Sequence, residues 1–180
     1  MLELQYFMPG DFEQLIEWID SEALLVNWCG SLFNYPLTHK SLEWYIQDVN
    51  DIEKSDAFIY KAVNSNTGNT IGHISLGGVS RKNRSARISR VLIGGSADKG
   101  KGYCQAMLKA VIKIGFEDLK LHRIDLGVYS FNESALGCYK KAGFTIEGIR
   151  RDVLLYKGEW WSLVDLSILE AEWKILNAGT

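Results

Sequence analysis

The residues best placed to do chemistry form one short run, Lys99-Gly100-Lys101-Gly102-Tyr103-Cys104. Glycines at 100 and 102 leave no Cβ between an approaching anion and the backbone N–H groups, and Lys99 and Lys101 add positive charge. Ile88 to Ile93 reads as a strand and a helix begins near Tyr103, so free N–H groups and the positive end of the helix dipole converge at the junction. Such a nest suits a pyrophosphate. A tight strand-to-helix turn also needs glycine on steric grounds alone, so the loop by itself leaves both readings open. Two nucleotide-binding patterns come close and miss. Gly95-Ser96-Ala97-Asp98-Lys99-Gly100-Lys101-Gly102 follows G-x-x-x-x-G-K-[ST] to its last place, where Gly102 replaces the hydroxyl that would bind Mg²⁺. A dinucleotide fingerprint would need glycine where Gln105 stands.

The surrounding elements must hold that junction in place. Leu2 to Phe7 reads as a strand, Pro9-Gly10-Asp11 as a turn and cap, and Phe12, Leu15, Ile16 and Ile19 as the apolar face of a helix. A second helix follows Ser21. An aromatic, turn-like stretch from Trp28 to Leu37 ends at Thr38, the cap of a helix carrying Leu42, Trp44, Tyr45 and Val49. From Asp56 the pattern changes to an antiparallel meander: Ala57 to Val63, Thr70 to Gly77, Ala86 to Ile93. Past the loop, Tyr103, Met107, Ala110, Val111 and Ile114 share one helical face. Leu121 to Tyr129 alternates as a strand, and Asn132 to about Ala142 is a short helix. Val153 to Leu155 and Trp160 to Leu169 form a hairpin turning near Lys157-Gly158. Strand, glycine loop, helix, strand is a crossover unit, and the class is α/β or α+β with a mixed sheet.

A chain of 180 residues, 47% hydrophobic and 23% charged, fits one core rather than two. Its formal charge of -2 recruits no polyanion such as DNA or a membrane surface, so any bound anion must be held locally. Cys29, Cys104 and Cys138 are too few and too far apart for a disulfide framework or a zinc motif; a reduced, intracellular chain with no metal site is expected. The first residues lack the basic start of a secretory leader, and no stretch reaches the roughly 18 apolar residues of a membrane span. The cytoplasm is the expected compartment.

A second motif, Asn132-Glu133-Ser134-Ala135-Leu136-Gly137-Cys138-Tyr139-Lys140-Lys141-Ala142-Gly143-Phe144, follows about 30 residues after the loop, preceded by Val128-Tyr129-Ser130. Together the two resemble the GNAT superfamily of acetyl-CoA-dependent N-acetyltransferases, from about Thr70 to Leu169. Asn83-Arg84-Ser85-Ala86 and Tyr156-Lys157-Gly158-Glu159-Trp160 resemble its branch that acetylates ribosomal-protein N-termini and polyamines. The resemblance implies a single domain over residues 1–180 with a mixed, largely antiparallel twisted sheet flanked by helices. It also implies acetyl-CoA as cosubstrate, an amine-bearing small molecule or protein N-terminus as acceptor, no nucleic acid or membrane partner, and a homodimer formed through the C-terminal strands.

The family's cofactor motif, Q/R-x-x-G-x-G/A, lays onto Lys99, Gly100, Lys101, Gly102, Tyr103 and Cys104, with Lys99 for the usual Gln or Arg and Cys104 for the last small residue. Cys104 reads either as a helix-start thiol of lowered pKa or as a small buried filler. By resemblance Tyr139 protonates the departing coenzyme A thiolate, which suits a phenol of pKa about 10; the same ring, on one helical face with Ala135, Leu136 and Ala142, would also serve as core. Asn132 would contact the pantetheine arm, cap its helix, or do both. The backbone of Val91, Leu92 and Ile93 would pair with the pantetheine amides, and a backbone N–H near them would polarise the acetyl carbonyl. Relatives carry Glu where Arg87 stands, so no carboxylate base carries over, and none is selected among Glu17, His73, Asp125 and Glu147. Arg87 and Arg90 would disfavour a polycationic acceptor and favour one bearing a carboxylate or phosphate. Trp28, Phe33, Tyr35 and Trp44 lie where relatives form the acceptor pocket, or pack in the core. The competing reading is a domain that senses acetyl-CoA without transferring its acetyl group.

Overall fold

The computed structural model describes residues 1–95 and 100–178, so Lys99 lies outside the described residues. Seven strands form one sheet: β1 (Leu2–Tyr6), β2 (Phe58–Asn64), β3 (Thr70–Ser80), β4 (Ser85–Ile93), β5 (Arg123–Tyr129), β6 (Thr145–Tyr156) and β7 (Glu159–Leu169). Their order is β1-β2-β3-β4-β5-β7-β6. β4 and β5 pair in parallel, as the crossover unit requires, and the other neighbours are antiparallel.

Alternation along the strands sorts side chains onto two faces. Ile71, Ile74 and Leu76 of β3 and Ala86 and Ile88 of β4 pack with Met107, Leu108, Val111 and Ile112 of α4 (Tyr103–Lys113). The opposite face is covered by α1 (Phe12–Trp18), α2 (Glu22–Cys29) and α3 (His39–Tyr45), which bury Phe12, Leu15, Leu25 and Leu42 against Ile59 of β2. Two of the expected caps form, Ser21 Oγ accepting from Leu24 N at 3.4 Å and Thr38 Oγ1 from Ser41 N at 3.2 Å, whereas Asp11 stands before α1 without capping it and accepts from Met8 N instead. α5 (Glu133–Lys141) starts at its cap Asn132, whose side chain accepts from Ala135 N at 3.2 Å.

Several bounds differ from the sequence reading. α2 runs on through Trp28 and Cys29, so the aromatic turn begins only at Gly30, and β6 begins at Thr145 rather than near Val153. α4 continues into a π turn (Ile114–Asp118), and a terminal helix, α6 (Glu170–Asn177), follows β7 directly. The hairpin turn is at Lys157-Gly158, both at positive φ (47° and 86°), the primed geometry that matches strand twist. Among the described residues no helix is long and apolar enough to cross a membrane.

The feature that positions a site is an interruption. β4 and β5 pair from Ser85↔Arg123 to Ile88↔Leu126, while both strands continue beyond. Past that point the two edges part and a cleft opens between them.

Candidate functional site

The cleft measures about 1010 Å³ and is walled by β4 from Arg87 to Ile93, β5 from Leu126 to Tyr129, the first turn of α4, and α5 through Tyr139, with Trp28, Cys29 and Gly30 of the α2 end above. That is ample for a large, extended ligand. At one end Gly100 and Gly102 both take φ of 80°. Gly102 is the N-cap of α4, offers no side-chain cap, and has open space where a Cβ would stand. Among the described residues no side chain caps the helix's first N–H groups, which fits an anion such as a pyrophosphate.

Deeper in, β4 carries a bulge. Its register with β3 jumps from His73↔Leu92 to Ser75↔Ser89, so Arg90 and Val91 together oppose Ile74. Arg90 is at φ 55°, a conformation a non-glycine residue keeps only when its surroundings hold it there. Here the hold is explicit: the Arg90 carbonyl accepts from Trp28 Nε1 at 3.0 Å and from His73 Nδ1 at 3.1 Å. The clamp turns the backbone that follows, Val91 to Ile93, along the cleft wall.

His73 is 1% exposed, and burial, assisted by the Arg90 guanidinium, lowers its pKa from 6.5 to about 4. The ring is neutral and its Nδ1 carries the proton, because the Arg90 carbonyl can only accept. The unfolded chain binds a proton near pH 6.5 that the folded chain refuses until about pH 4. Stability from this group is therefore full above pH 6.5 and is lost as the pH falls toward 4, by about 3 kcal/mol in all. Thermal melts of the wild type should show this loss between pH 6.5 and 4, and His73→Gln should flatten that part of the profile; parallel profiles would show that His73 is not the group responsible.

Tyr139 lines the cleft from α5, is 6% exposed, and packs edge-on against Phe144 at 6.3 Å. Burial pushes its phenol well above the usual range, so it is protonated at any working pH. Asn132 lines the same wall while capping α5. Tyr103 lines the opposite wall and accepts a bond from Asn64 Nδ2 at 3.1 Å.

The expectation of a wholly reduced chain is corrected. Cys104 is bonded to Cys138, with Cα atoms 6.7 Å apart, and Cys29 is the free thiol. The crossover brings the first turn of α4 beside α5, a proximity that a separation of 34 residues does not reveal. Gln105 Nε2 reinforces the same contact by donating to the Cys138 carbonyl. Cys104 thus ties the two walls of the cleft together instead of acting as a reactive thiol or a filler.

Of the residues expected to form an acceptor pocket, Trp28 and Arg87 line the cleft. Phe33 lies behind, stacked on Trp28 at 6.4 Å and edge-on to Tyr45 at 5.9 Å. Tyr35 is 45% exposed, its hydroxyl donating to the Asp20 carbonyl, and it does not reach the lining. Trp44 is exposed and packs edge-on to Phe33. Arg87 is already engaged: its guanidinium donates to Asp125 and, at 3.1 Å, to Asp165 Oδ1. Gly127 makes room for this, since a Cβ there would lie 2.5 Å from Arg87 Nη2. Against burial, bonds from Arg150 and Arg87 hold the Asp165 carboxyl below its usual range.

The residues weighed as a base are spread out. Glu147 is held at about 2 by Arg123 and Ser167, Asp125 is bound to Arg87, Glu17 is exposed on α1, and His73 is sealed beneath the bulge. Among the described residues lining the cleft there is no histidine, and Glu133 is the one carboxylate. No group of three or more His, Cys, Asp or Glu among the described residues is placed to hold a metal ion.

Comparison with known proteins bears on this geometry. Residues 1–145 match the family model described as acetyltransferase (GNAT) domain. YjcK of Bacillus subtilis (strain 168), named as a probable N-acetyltransferase, is 31% identical over 67% of this chain and 66% of its own length. YdaF of the same organism, named for a ribosomal N-acetyltransferase activity, is 33% identical over 59% of this chain and 57% of its own. The chain thus spans somewhat less than two thirds of both relatives. A solved structure of spermidine N-acetyltransferase from Vibrio cholerae, in complex with CoA and spermine, superposes with a TM-score of 0.81 at 21% identity, covering 96% of this chain and 97% of that one. That likeness establishes the fold.

Proposed function

The chain belongs to the acetyltransferase (GNAT) domain family, and we propose that it transfers the acetyl group of acetyl-CoA to a primary amine by direct attack in a ternary complex. The observation that carries this reading is the meeting, in one cleft, of an uncapped helix start at Gly102, a bulged strand edge at Arg90 to Ile93, and the buried phenol of Tyr139. The acceptor is a small amine or a protein N-terminus.

The chain's own groups divide the work. Backbone N–H groups at Gly102 and the first turn of α4 hold the pyrophosphate, with the helix dipole favouring its charge. Asn132 and the Val91 to Ile93 backbone flank the pantetheine arm. An N–H following the Arg90 bulge faces the acetyl carbonyl and stabilises the oxyanion as the amine adds; it is preorganised because Trp28 and His73 fix the peptide in advance. As the C–S bond breaks, Tyr139 gives its proton to the thiolate. The acceptor's surplus proton leaves through water, since no histidine lines the cleft among the described residues.

The test is a panel of amines, polyamines, amino sugars, amino acids and N-terminal peptides assayed for thiol release from acetyl-CoA. Initial-rate lines that intersect are expected for a ternary complex; parallel lines would indicate an acetyl-enzyme. Silence across the panel with acetyl-CoA still bound would instead favour a sensor domain.

A further inference from the structure

We propose that the Arg90 side chain is the specificity-determining group of this cleft, and that the acceptor it selects is a small amine that also carries a carboxylate, as an α-amino acid does. The proposal rests on the reading of the cleft as an amine-acetylation site and names its substrate class.

Arg90 differs from the other arginines around the cleft in what it lacks. Arg87 is paired with Asp125 and Asp165, Arg150 with Asp165, and Arg123 with Glu147. Arg90 has no carboxylate partner among the described residues. Its Nη1 donates to two neutral hydroxyls, Ser75 Oγ at 3.1 Å and Ser89 Oγ at 3.2 Å, and its guanidinium carbon lies 4.9 Å from the centroid of the Tyr45 ring. Nε is buried with no partner, and so is the Tyr45 hydroxyl. A buried donor without an acceptor is costly, and a cation without a counter-charge more so. The edge of a guanidinium formed by Nε and Nη2 offers two parallel N–H groups spaced for one carboxylate, and the Nε of that edge has no hydrogen-bond partner. The third unpartnered atom, His73 Nε2, is an acceptor and does not compete for an anion.

The position suits the reaction. Arg90 is the bulge residue, so its side chain leaves the strand one residue before the backbone proposed to face the acetyl carbonyl. An amino group one carbon from the acceptor's carboxylate adds to the carbonyl carbon, forming the C–N bond, and the C–S bond breaks as the tetrahedral oxyanion collapses. The products are an N-acetyl amino acid and the free thiol of coenzyme A. Leu24, Trp28 and Leu163 in the lining of the cleft offer apolar surface for the acceptor's side chain. A polycation meets the reverse: the unpaired charge of Arg90 on the wall, and Glu133 as the one described carboxylate lining the cleft.

The experiment compares leucine, leucinamide, isoamylamine and spermidine as acceptors at saturating acetyl-CoA, with wild type, Arg90→Met and Arg90→Lys. In the wild type, kcat/KM for leucine should exceed that for leucinamide by about 10- to 100-fold, the range of one charge-assisted contact. Arg90→Met should erase the difference through KM, and Arg90→Lys, which keeps charge but not the paired edge, should fall between. Calorimetric titration of leucine into the CoA complex gives a readout that needs no turnover. Leucine binding that depends on Arg90 while no amine is acetylated would sustain this inference and defeat the proposed activity. A wild type that binds or acetylates leucinamide or spermidine as well as leucine would overturn the inference while leaving that activity intact, and so would an Arg90→Met enzyme that keeps the preference. Should Arg90→Met fail to fold, the wild-type ranking of leucine against leucinamide decides.

Discussion

Tyr139→Phe should lower kcat by about 10²- to 10³-fold, within the range for loss of one general acid, and leave acetyl-CoA affinity within about twofold. The ring is buried against Phe144, and phenylalanine fills the same volume, so packing is retained and only the transferable proton is lost. The sign of the phenol's shift matters too. Because burial raises its pKa, the wild-type rate should not fall from ionisation of Tyr139 as the pH is raised to about 10, where an exposed tyrosine would begin to lose its proton. Steady-state kinetics with a matched thermal melt check both statements. An unchanged kcat would assign Tyr139 to the core alone.

Gly102→Val acts at the other end of the cleft and on the other kinetic parameter. At φ 80° a β-branched residue is strained by roughly 1–3 kcal/mol, and relief of that strain would rotate the N–H groups away from the anion. Acetyl-CoA Kd should rise at least about 10-fold, with the acceptor's KM little affected once the cosubstrate is saturating. Calorimetric titration of acetyl-CoA into both proteins, well below their melting temperatures, measures it. Equal affinities would mean that the pyrophosphate is held elsewhere.

The places of Gly102 and Tyr139 in the fold were legible in the sequence because their signals are local. A glycine at the start of α4, and a tyrosine on the apolar face of α5, declare themselves in a few residues. The meander, the crossover and the Ser21, Thr38 and Asn132 caps were legible for the same reason. The terminal helix α6 was not: Leu169 occupies its N-cap, and the start is secured from the far side, by Glu172 accepting from Leu169 N at 2.8 Å. Half a capping box without Ser, Thr, Asp or Asn leaves no mark at the position where one looks.

What the sequence hid are relations between distant residues. Nothing in Ser89-Arg90-Val91 announces a bulge, because the strain is stabilised by Trp28, 62 positions away, and by His73 on the neighbouring strand. The Cys104–Cys138 bond follows from helix proximity alone. Arg87 and Arg90 look alike in the sequence, two cations on one strand. The fold separates them, surrounding the first with carboxylates and leaving the second with hydroxyls and an aromatic ring.

The most direct test of acetyl transfer in this cleft follows the acetyl group itself. Acetyl-CoA labelled at the acetyl carbonyl is mixed with the protein and an acceptor from the panel in a single turnover, and the label is located by NMR while free thiol and intact protein mass are recorded. The predicted result is label appearing as an amide on the acceptor nitrogen, in step with thiol release and with no acetylated protein. Label accumulating on the protein, or no transfer to any amine while acetyl-CoA remains bound, would contradict it.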